Sequence, residues 1–362
     1  MRKFTLLIVA VLMAITASAQ KLDIKQLVSP VSPKGNMVAR ALPENAKPVK
    51  PFKLNKKARK AAGIKSIDDL TGKWMQIYNS YFDEVIISTV VEITKTEGSE
   101  NSITINGWWF SESEPIEATV DLATGTITVV PQLIYEYEGD EPAELVNVDN
   151  EGGALVGTIA EDGSIVFEEG WAAKIIGGTQ SYECGLYTMF LRPNGKMNFT
   201  NDGKEQNVDV FIEQDEEVVY VYNFGDYGYT IGLELNNNQT FSVPSGQVVY
   251  YGGKQYGDFI LYGIYGDDYA DLTGKGTKTT LTFDLPWSGV SDKDFWFGEN
   301  KDCTITLTDG TTFVYPKEDP SGISTVNANE QNGGKAYNMA GQLVKQGYKG
   351  IVVKNGKKFM VK

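Results

Sequence analysis

One stretch is written twice in this chain. Leu155 to Trp171 reads LVGTIAEDGSIVFEEGW, and Leu272 to Trp287 reads LTGKGTKTTLTFDLPW. Each copy is a Leu-x-Gly strand, a polar turn, a short alternating strand ending in Phe167 or Phe283, and then a Trp. The flanks repeat too. Val120-Asp121-Leu122 answers Leu233-Glu234-Leu235, and Gln132-Leu133-Ile134-Tyr135 answers Gln247-Val248-Val249-Tyr250. The offsets drift between 113 and 119 residues, as small insertions in hairpin loops allow. Two copies at this spacing imply two tandem domains of one topology rather than a solenoid. Leu155, Phe167, Trp171 and their counterparts Leu272, Phe283, Trp287 are the expected structural anchors.

Between the turn signals Glu97-Gly98, Thr124-Gly125, Asp162-Gly163, Asn194-Gly195 and Asp309-Gly310 lie short runs of period two. Cys303-Thr304-Ile305-Thr306-Leu307-Thr308 puts apolar residues on one face and threonines on the other. No stretch within 71–322 has a helical period with caps, so the body is expected to be all-β and antiparallel. Tight, frequent turns favour a meander. A Greek-key sandwich needs longer crossings, so two barrels are expected rather than two sandwiches.

The ends differ from the body. Residues 1–19 have a basic start, an apolar run from Phe4 to Ile15 and small residues Ala17-Ser18-Ala19, the pattern of a signal peptide cleaved before Gln20. That run is too short to span a bilayer, and no other segment is apolar enough. Residues 20–65, rich in Pro and Lys, are expected to be a disordered arm. The first β-domain is placed at 66–200, the second at 201–322 and a small β-tail at 323–362. Residues 66–322 hold 12 basic and 44 acidic side chains, a net charge of −32. Such a surface argues against nucleic acid as a partner.

The chain has no His and two Cys. A Ser-His-Asp triad, a Cys-His pair, a His-ligated metal and a thiolate zinc site are thereby excluded. Asp267, Asp268 and Asp271 lack the alternating ligands and turning Gly of a calcium loop, so no metal or cofactor is expected. Cys184 and Cys303 hold similar places in the two copies. Equivalent places in separate cores lie beyond disulfide reach, which predicts two buried free thiols.

Two resemblances bear on class. Ser66-Ile67-Asp68-Asp69 forms a capping pattern just before Gly72-Lys73-Trp74, and this is similar to the opening of lipocalin and other calycin barrels. It implies a Trp closing one barrel end and, by extension, an apolar-ligand cavity. The tail carries Tyr337-Asn338, Gly341-Gln342, Lys349-Gly350-Ile351-Val352-Val353 and a closing Lys357-Lys358-Phe359-Met360-Val361-Lys362. It resembles the C-terminal sorting domain of type IX secretion substrates from Bacteroidetes. That resemblance implies an exported protein, in the periplasm, at the outer-membrane surface or outside the cell. The body resembles secreted tandem β-proteins of the same bacteria.

Candidate ligand-binding residues are aromatic: Trp108 and Trp109, adjacent and so on opposite faces of a strand, and Tyr250 and Tyr251. An exposed ring of this kind stacks on a sugar; a buried one is core. Glu168, Glu169 and Asp284 beside the repeated Trp are the carboxylates to weigh for glycoside hydrolysis, but neighbouring strand residues point apart. The sequence therefore favours a non-catalytic binding or cell-surface protein that recognises a glycan or a surface partner. The alternatives are a carboxylate glycoside hydrolase and a barrel carrier of an apolar ligand.

Overall fold

The computed structural model describes residues 26–27, 37–41, 64–150, 152–266, 268–316, 337–338, 350–354 and 357–361. The expected signal peptide and most of the arm and tail lie outside these residues. Two compact units are present, Met1–Tyr315 and Pro316–Lys362.

The larger unit holds two closed eight-stranded antiparallel barrels. Eleven strands build the first: β1 Gly72–Ser80, β2 Val85–Lys95, β3 Ser102–Asn106, β4 Ile116–Asp121, β5 Thr126–Val129, β6 Gln132–Tyr135, β7 Ala143–Asn147, β8 Leu155–Ile159, β9 Ile165–Phe167, β10 Trp171–Ile175 and β11 Gln180–Leu191. Eleven more build the second: β12 Gly195–Asn201, β13 Lys204–Asp215, β14 Val218–Tyr222, β15 Ile231–Leu235, β16 Thr240–Ser242, β17 Val248–Tyr251, β18 Asp258–Tyr265, β19 Thr273–Gly276, β20 Thr280–Phe283, β21 Trp287–Ser291 and β22 Asn300–Leu307. The first barrel runs β9-β8-β5-β4-β3-β2-β1-β11 and closes through β9–β11. The second runs β20-β19-β16-β15-β14-β13-β12-β22 and closes through β20–β22. Strand order is the same throughout, each strand of the second barrel lying eleven places later. Closure pairs both ends of the strand order and so removes the open edges of a flat sheet. The second barrel opens at β12, whose partners are β13 and β22, so it begins at Gly195 and not at residue 201.

Each barrel carries a flap with three matching strands, and the second flap adds the short strands Asp268–Ala270 and Phe295–Trp296. β6, β7 and β10 extend from the first half of β11, and β17, β18 and β21 extend from β22 in the same order. β9 and β10 follow one another along β11, and the break between them is where the flap leaves the barrel. Trp171 is the first residue after that break, and Trp287 is the first residue after the matching break. Both are fully buried. A large ring is needed there because a diverging sheet leaves a wedge that no β-branched side chain fills. Gly185 lies opposite Trp171, and a Cβ on it would sit 2.4 Å from the indole nitrogen, so the glycine makes room for the ring. The Leu-x-Gly signature has a similar cause. A Cβ on Gly157 would meet the Phe167 ring at 2.7 Å, and one on Gly274 the Phe241 ring at 2.3 Å.

The barrels are filled. Trp74, Tyr78, Trp108, Phe167, Trp171 and Phe190 occupy the first, and Phe224, Phe241, Phe283 and Trp287 the second. Ile67–Leu70 forms the expected single turn, in which Asp69 accepts from the Ser66 backbone N–H at 2.8 Å. Trp74 donates its indole N–H to the Leu70 carbonyl at 2.7 Å, and the Arg192 guanidinium lies 3.9 Å from the Trp74 ring centre, closing that end.

The cysteines need a correction. Phe167 faces Thr188 across β9–β11, and the matching step places Phe283 at Cys303, beside the Thr282↔Thr304 pair. Thr188, not Cys184, is thus the counterpart of Cys303. Both strands carry the same bulge, at Tyr187 (φ +58°) and Asp302 (φ +53°), and Trp171 faces Gly185 as Trp287 faces Asn300, so the two strands correspond at an offset of 115 residues and not at the 119 that pairs the cysteines. Both thiols are buried and free.

The tail unit has three strands, Tyr337–Asn338, Gly350–Lys354 and Lys357–Val361, with Lys354 opposite Lys357 at the hairpin. Among the described residues no helix is long and apolar enough to cross a membrane.

Candidate functional site

The outer faces of the two barrels meet along one seam. Met75 and Ile77 of β1 and Met189 and Leu191 of β11 pack on Phe211 and Tyr222 of β13 and β14. Asp209 joins them ionically, with Lys73 Nζ at 3.0 Å from the first barrel and Lys196 Nζ at 2.6 Å from the second. Burial works against the Asp209 charge, but the two lysines outweigh it and hold its pKa below the ordinary carboxylate value. The first half of β2 has no second strand partner, because β3 pairs only with Glu92–Lys95. Loop 223–230 of the second barrel covers that free edge. The Ser88 N–H donates to the Gly228 carbonyl at 2.8 Å, the Asn223 N–H donates to Ser88 Oγ at 2.7 Å, and Ile87 bridges to Tyr229. An apolar seam, a shared carboxylate and a sealed strand edge fix one barrel against the other.

Beside this seam the surfaces part to leave a cleft of about 710 Å³. Its floor is the outside of the second barrel. Alternation along β13 and β14 turns Val210, Ile212, Val219 and Val221 inward, and Glu213, Asp215 and Tyr220 outward. Glu213, Tyr220 and Gly232 form one cross-strand row. Gly232 leaves the Tyr220 ring without a covering side chain, and Tyr220 is 37% exposed. Gln247 braces this edge: its side chain accepts from the Gly232 N–H and donates to the Gly232 carbonyl, both at 2.8 Å. Gln132 makes the same pair of hydrogen bonds to the Glu117 backbone in the first copy. The walls are Glu84, Val85 and Ile86 at the start of β2, with Tyr229, Thr230 and Tyr251 opposite. Burial first, and then the Asp83 charge, push the Tyr229 hydroxyl well above its ordinary pKa, so it stays a neutral hydrogen-bonding group. Thr230 lines the cleft with its hydroxyl turned away from solvent, and that hydroxyl has no hydrogen-bond partner among the described residues.

The structure separates the four aromatic residues singled out in the sequence. Trp108 is fully buried between Phe167, Trp171 and Phe190, and Trp109 packs on Phe110, Tyr135 and Tyr182. Neither presents a ring to a ligand. Gly107, at φ +85°, turns the chain over the barrel end and carries both rings into the core. Tyr250 packs on Phe259 and Phe297, and only Tyr251 reaches the cleft. Glu169 accepts from Asn147 at 2.8 Å and Asp284 from Thr273 at 3.4 Å, while Glu168 is exposed. These carboxylates are spread over two barrels. Among the described residues no group of His, Cys, Asp or Glu is placed to hold a metal ion.

A second polar centre lies below the β1–β2 turn. Glu183 is buried, accepting from Ser80 Oγ at 2.9 Å and from the Cys184 N–H at 2.8 Å. Burial dominates and raises its pKa to about 7. Arg40 and Asp83 pair at 2.8 Å nearby. Glu183, Glu213, Tyr220 and Thr230 were not visible as site residues in the sequence, where each reads as an ordinary strand or turn position. Comparison with protein families, curated proteins and solved structures found no match.

Proposed function

We propose that the protein is an exported, non-catalytic binding protein that takes a carbohydrate in the cleft between its barrels. The observation that carries this reading is the Glu213–Tyr220–Gly232 row. It is a partly exposed aromatic ring with a carboxylate on one side and, on the other, a glycine whose backbone is braced by the Gln247 amide. A sugar needs this combination, a flat apolar surface for its C–H face and acceptors at the rim for its hydroxyls. The cleft lies in the volume range of small-ligand sites, and its walls are braced from both barrels, so little ordering is required on binding. The filled barrels support a surface site over an internal carrier cavity. Export is supported by the signal-like residues 1–19 and by the tail, and N-terminal sequencing of the exported protein should start at Gln20.

The test is affinity electrophoresis of the mature chain through gels containing soluble polysaccharides. Retardation by at least one polymer, lost in Tyr220→Ala, is the expected result. Tyr220 is exposed, so this variant keeps its fold. Release of reducing ends from a bound polymer would instead identify a glycoside hydrolase.

A further inference from the structure

We infer that Arg40 is a positioning residue for the cleft: the arm segment 37–41 docks on the first barrel and, through Asp83, fixes the turn that supplies one cleft wall. The effect on binding rests on the carbohydrate reading, whereas the order of the wall does not. The arm reaches this place by strand addition. Arg40 and Ala41 pair antiparallel with Ser181 and Gln180 at the start of β11. Met37 and Ala39 pack on the first core, and Val38 stays exposed. The Arg40 side chain then crosses to the turn between β1 and β2. Its Nη1 lies 2.8 Å from Asp83 Oδ1, and its guanidinium carbon lies 5.0 Å from the centre of the Phe82 ring. One side chain thus holds two consecutive residues of the turn 81–84. The same arm pairs Gln26–Leu27 in parallel with Phe295–Trp296 on the second flap, so it touches both halves of the unit.

This turn is the start of the cleft wall. The Tyr81 N–H donates to the Cys184 carbonyl at 2.8 Å, and the Asp83 N–H donates to Ser80 Oγ at 3.3 Å. The next residue, Glu84, stands at φ +54°, a left-handed conformation unfavourable for a residue with a side chain. Glu84, Val85 and Ile86 then line the cleft. A turn released at Asp83 can relax at Glu84, and the wall moves with it. Asp83 is also within electrostatic reach of the facing wall. After burial its charge is the next cause of the raised Tyr229 pKa, and after burial and Asp258 it raises that of Tyr251. An arginine suits the task because its planar cation pairs with the carboxylate and stacks on the ring together.

The experiment is hydrogen exchange read by mass spectrometry on the mature full chain, with affinity electrophoresis in a polysaccharide that retards the wild type. The variants are Arg40→Met, Arg40→Lys, Asp83→Asn and the double variant Arg40→Met with Asp83→Asn. Met keeps the aliphatic stem, and the Arg40 side chain is 41% exposed, so these chains keep their fold. Exchange within 81–87 should be about threefold faster in Arg40→Met and in Asp83→Asn, and no faster in the double variant. Retardation should weaken in the same variants, and Arg40→Lys should recover most of both effects. Unchanged exchange in Arg40→Met, or additive effects in the double variant, would overturn the inference whatever the gel shows. Faster exchange with full retardation would overturn the role in binding and leave the carbohydrate reading standing. If no polymer retards the wild type, the carbohydrate reading falls and the role in binding with it, while exchange still decides whether Arg40 fixes the wall.

Discussion

Trp171 donates its indole N–H to the Thr188 hydroxyl at 2.9 Å, inside the first barrel. In the second barrel Trp287 holds the matching place. There the residue equivalent to Thr188 is Cys303, so the Trp287 N–H meets a thiol, a weak acceptor, and no oxygen acceptor. One fold thus carries the same wedge-filling ring in two polar settings, one with a hydroxyl acceptor and one with only a weak sulfur acceptor. The difference sets up a reciprocal pair of substitutions. Thr188→Val should destabilise the protein by about 1–3 kcal/mol, because it orphans a buried donor. Cys303→Thr should stabilise it by ~1 kcal/mol, by giving Trp287 an acceptor of similar size. Urea unfolding of both variants checks the pair. Trp171→Ala in the same assay should cost about 3–5 kcal/mol, since it removes the ring that fills the wedge.

The thiols should be inert until the protein unfolds. Burial, and then the neighbouring Glu183 and Asp149 charges, push the Cys184 thiol up to about 12. Burial also raises Cys303. The thiolate is the reactive form, so native protein at pH 8 should resist iodoacetamide. Mass spectrometry after alkylation in denaturant, without reductant, should show two labels per chain. An unlabelled pair would mean a disulfide and would contradict the placement of the two residues in separate barrels.

Glu183 predicts a pH dependence with a defined sign. Its pKa is raised from the ordinary 4.5 to about 7 by burial, against the pull of Ser80 Oγ–H, the Cys184 N–H and Arg40, and with Asp83 adding to the rise. Tyr78 also faces it and stays neutral throughout this range, its own pKa being well above the ordinary value. The folded state therefore holds the Glu183 proton more tightly than the unfolded chain does. Its stabilising contribution is complete below about pH 4.5 and is lost as pH rises through about 7. The loss is of order 3 kcal/mol. With no His in the chain, few other groups titrate in that window. Glu183→Gln should flatten the stability profile between pH 5 and 7.5, read by denaturant midpoints at each pH.

The repeated core was legible in the sequence because large apolar residues in fixed order constrain a closed barrel. Leu155, Phe167 and Trp171 therefore survive in kind as Leu272, Phe283 and Trp287. The cleft was not legible. Glu213, Asp215 and Tyr220 occupy outward positions of ordinary alternating strands, and nothing local marks which outward face another barrel will approach. Trp108 and Trp109 misled for the opposite reason. Adjacent strand residues point apart, but Gly107 bends the chain there and both rings turn inward. The cysteine alignment failed because the two thiols match only in residue type: the bulges at Tyr187 and Asp302 correspond, and they set Thr188 against Cys303.

Gln76 shows how the second copy can correct the first. It faces the interior of the first barrel opposite Phe190, fully buried, and neither end of its amide has a hydrogen-bond partner. Phe190 pairs with Ile165 on β9, two residues before Phe167. In the second barrel Ile305 pairs with Leu281, two residues before Phe283, and the residue opposite Ile305 on β12 is Met197. Met197 is therefore the counterpart of Gln76, and it is buried in an apolar core. Methionine has nearly the shape of glutamine and carries no amide to desolvate. Gln76→Met should raise stability by about 1–2 kcal/mol, whereas most buried substitutions lower it. The measurement is the shift of the urea midpoint at constant slope, which separates a change in stability from a change in the unfolded chain. A loss of stability in Gln76→Met would show that the amide is held by a polar partner inside the barrel, and the two cores would then differ in more than the Thr188–Cys303 exchange.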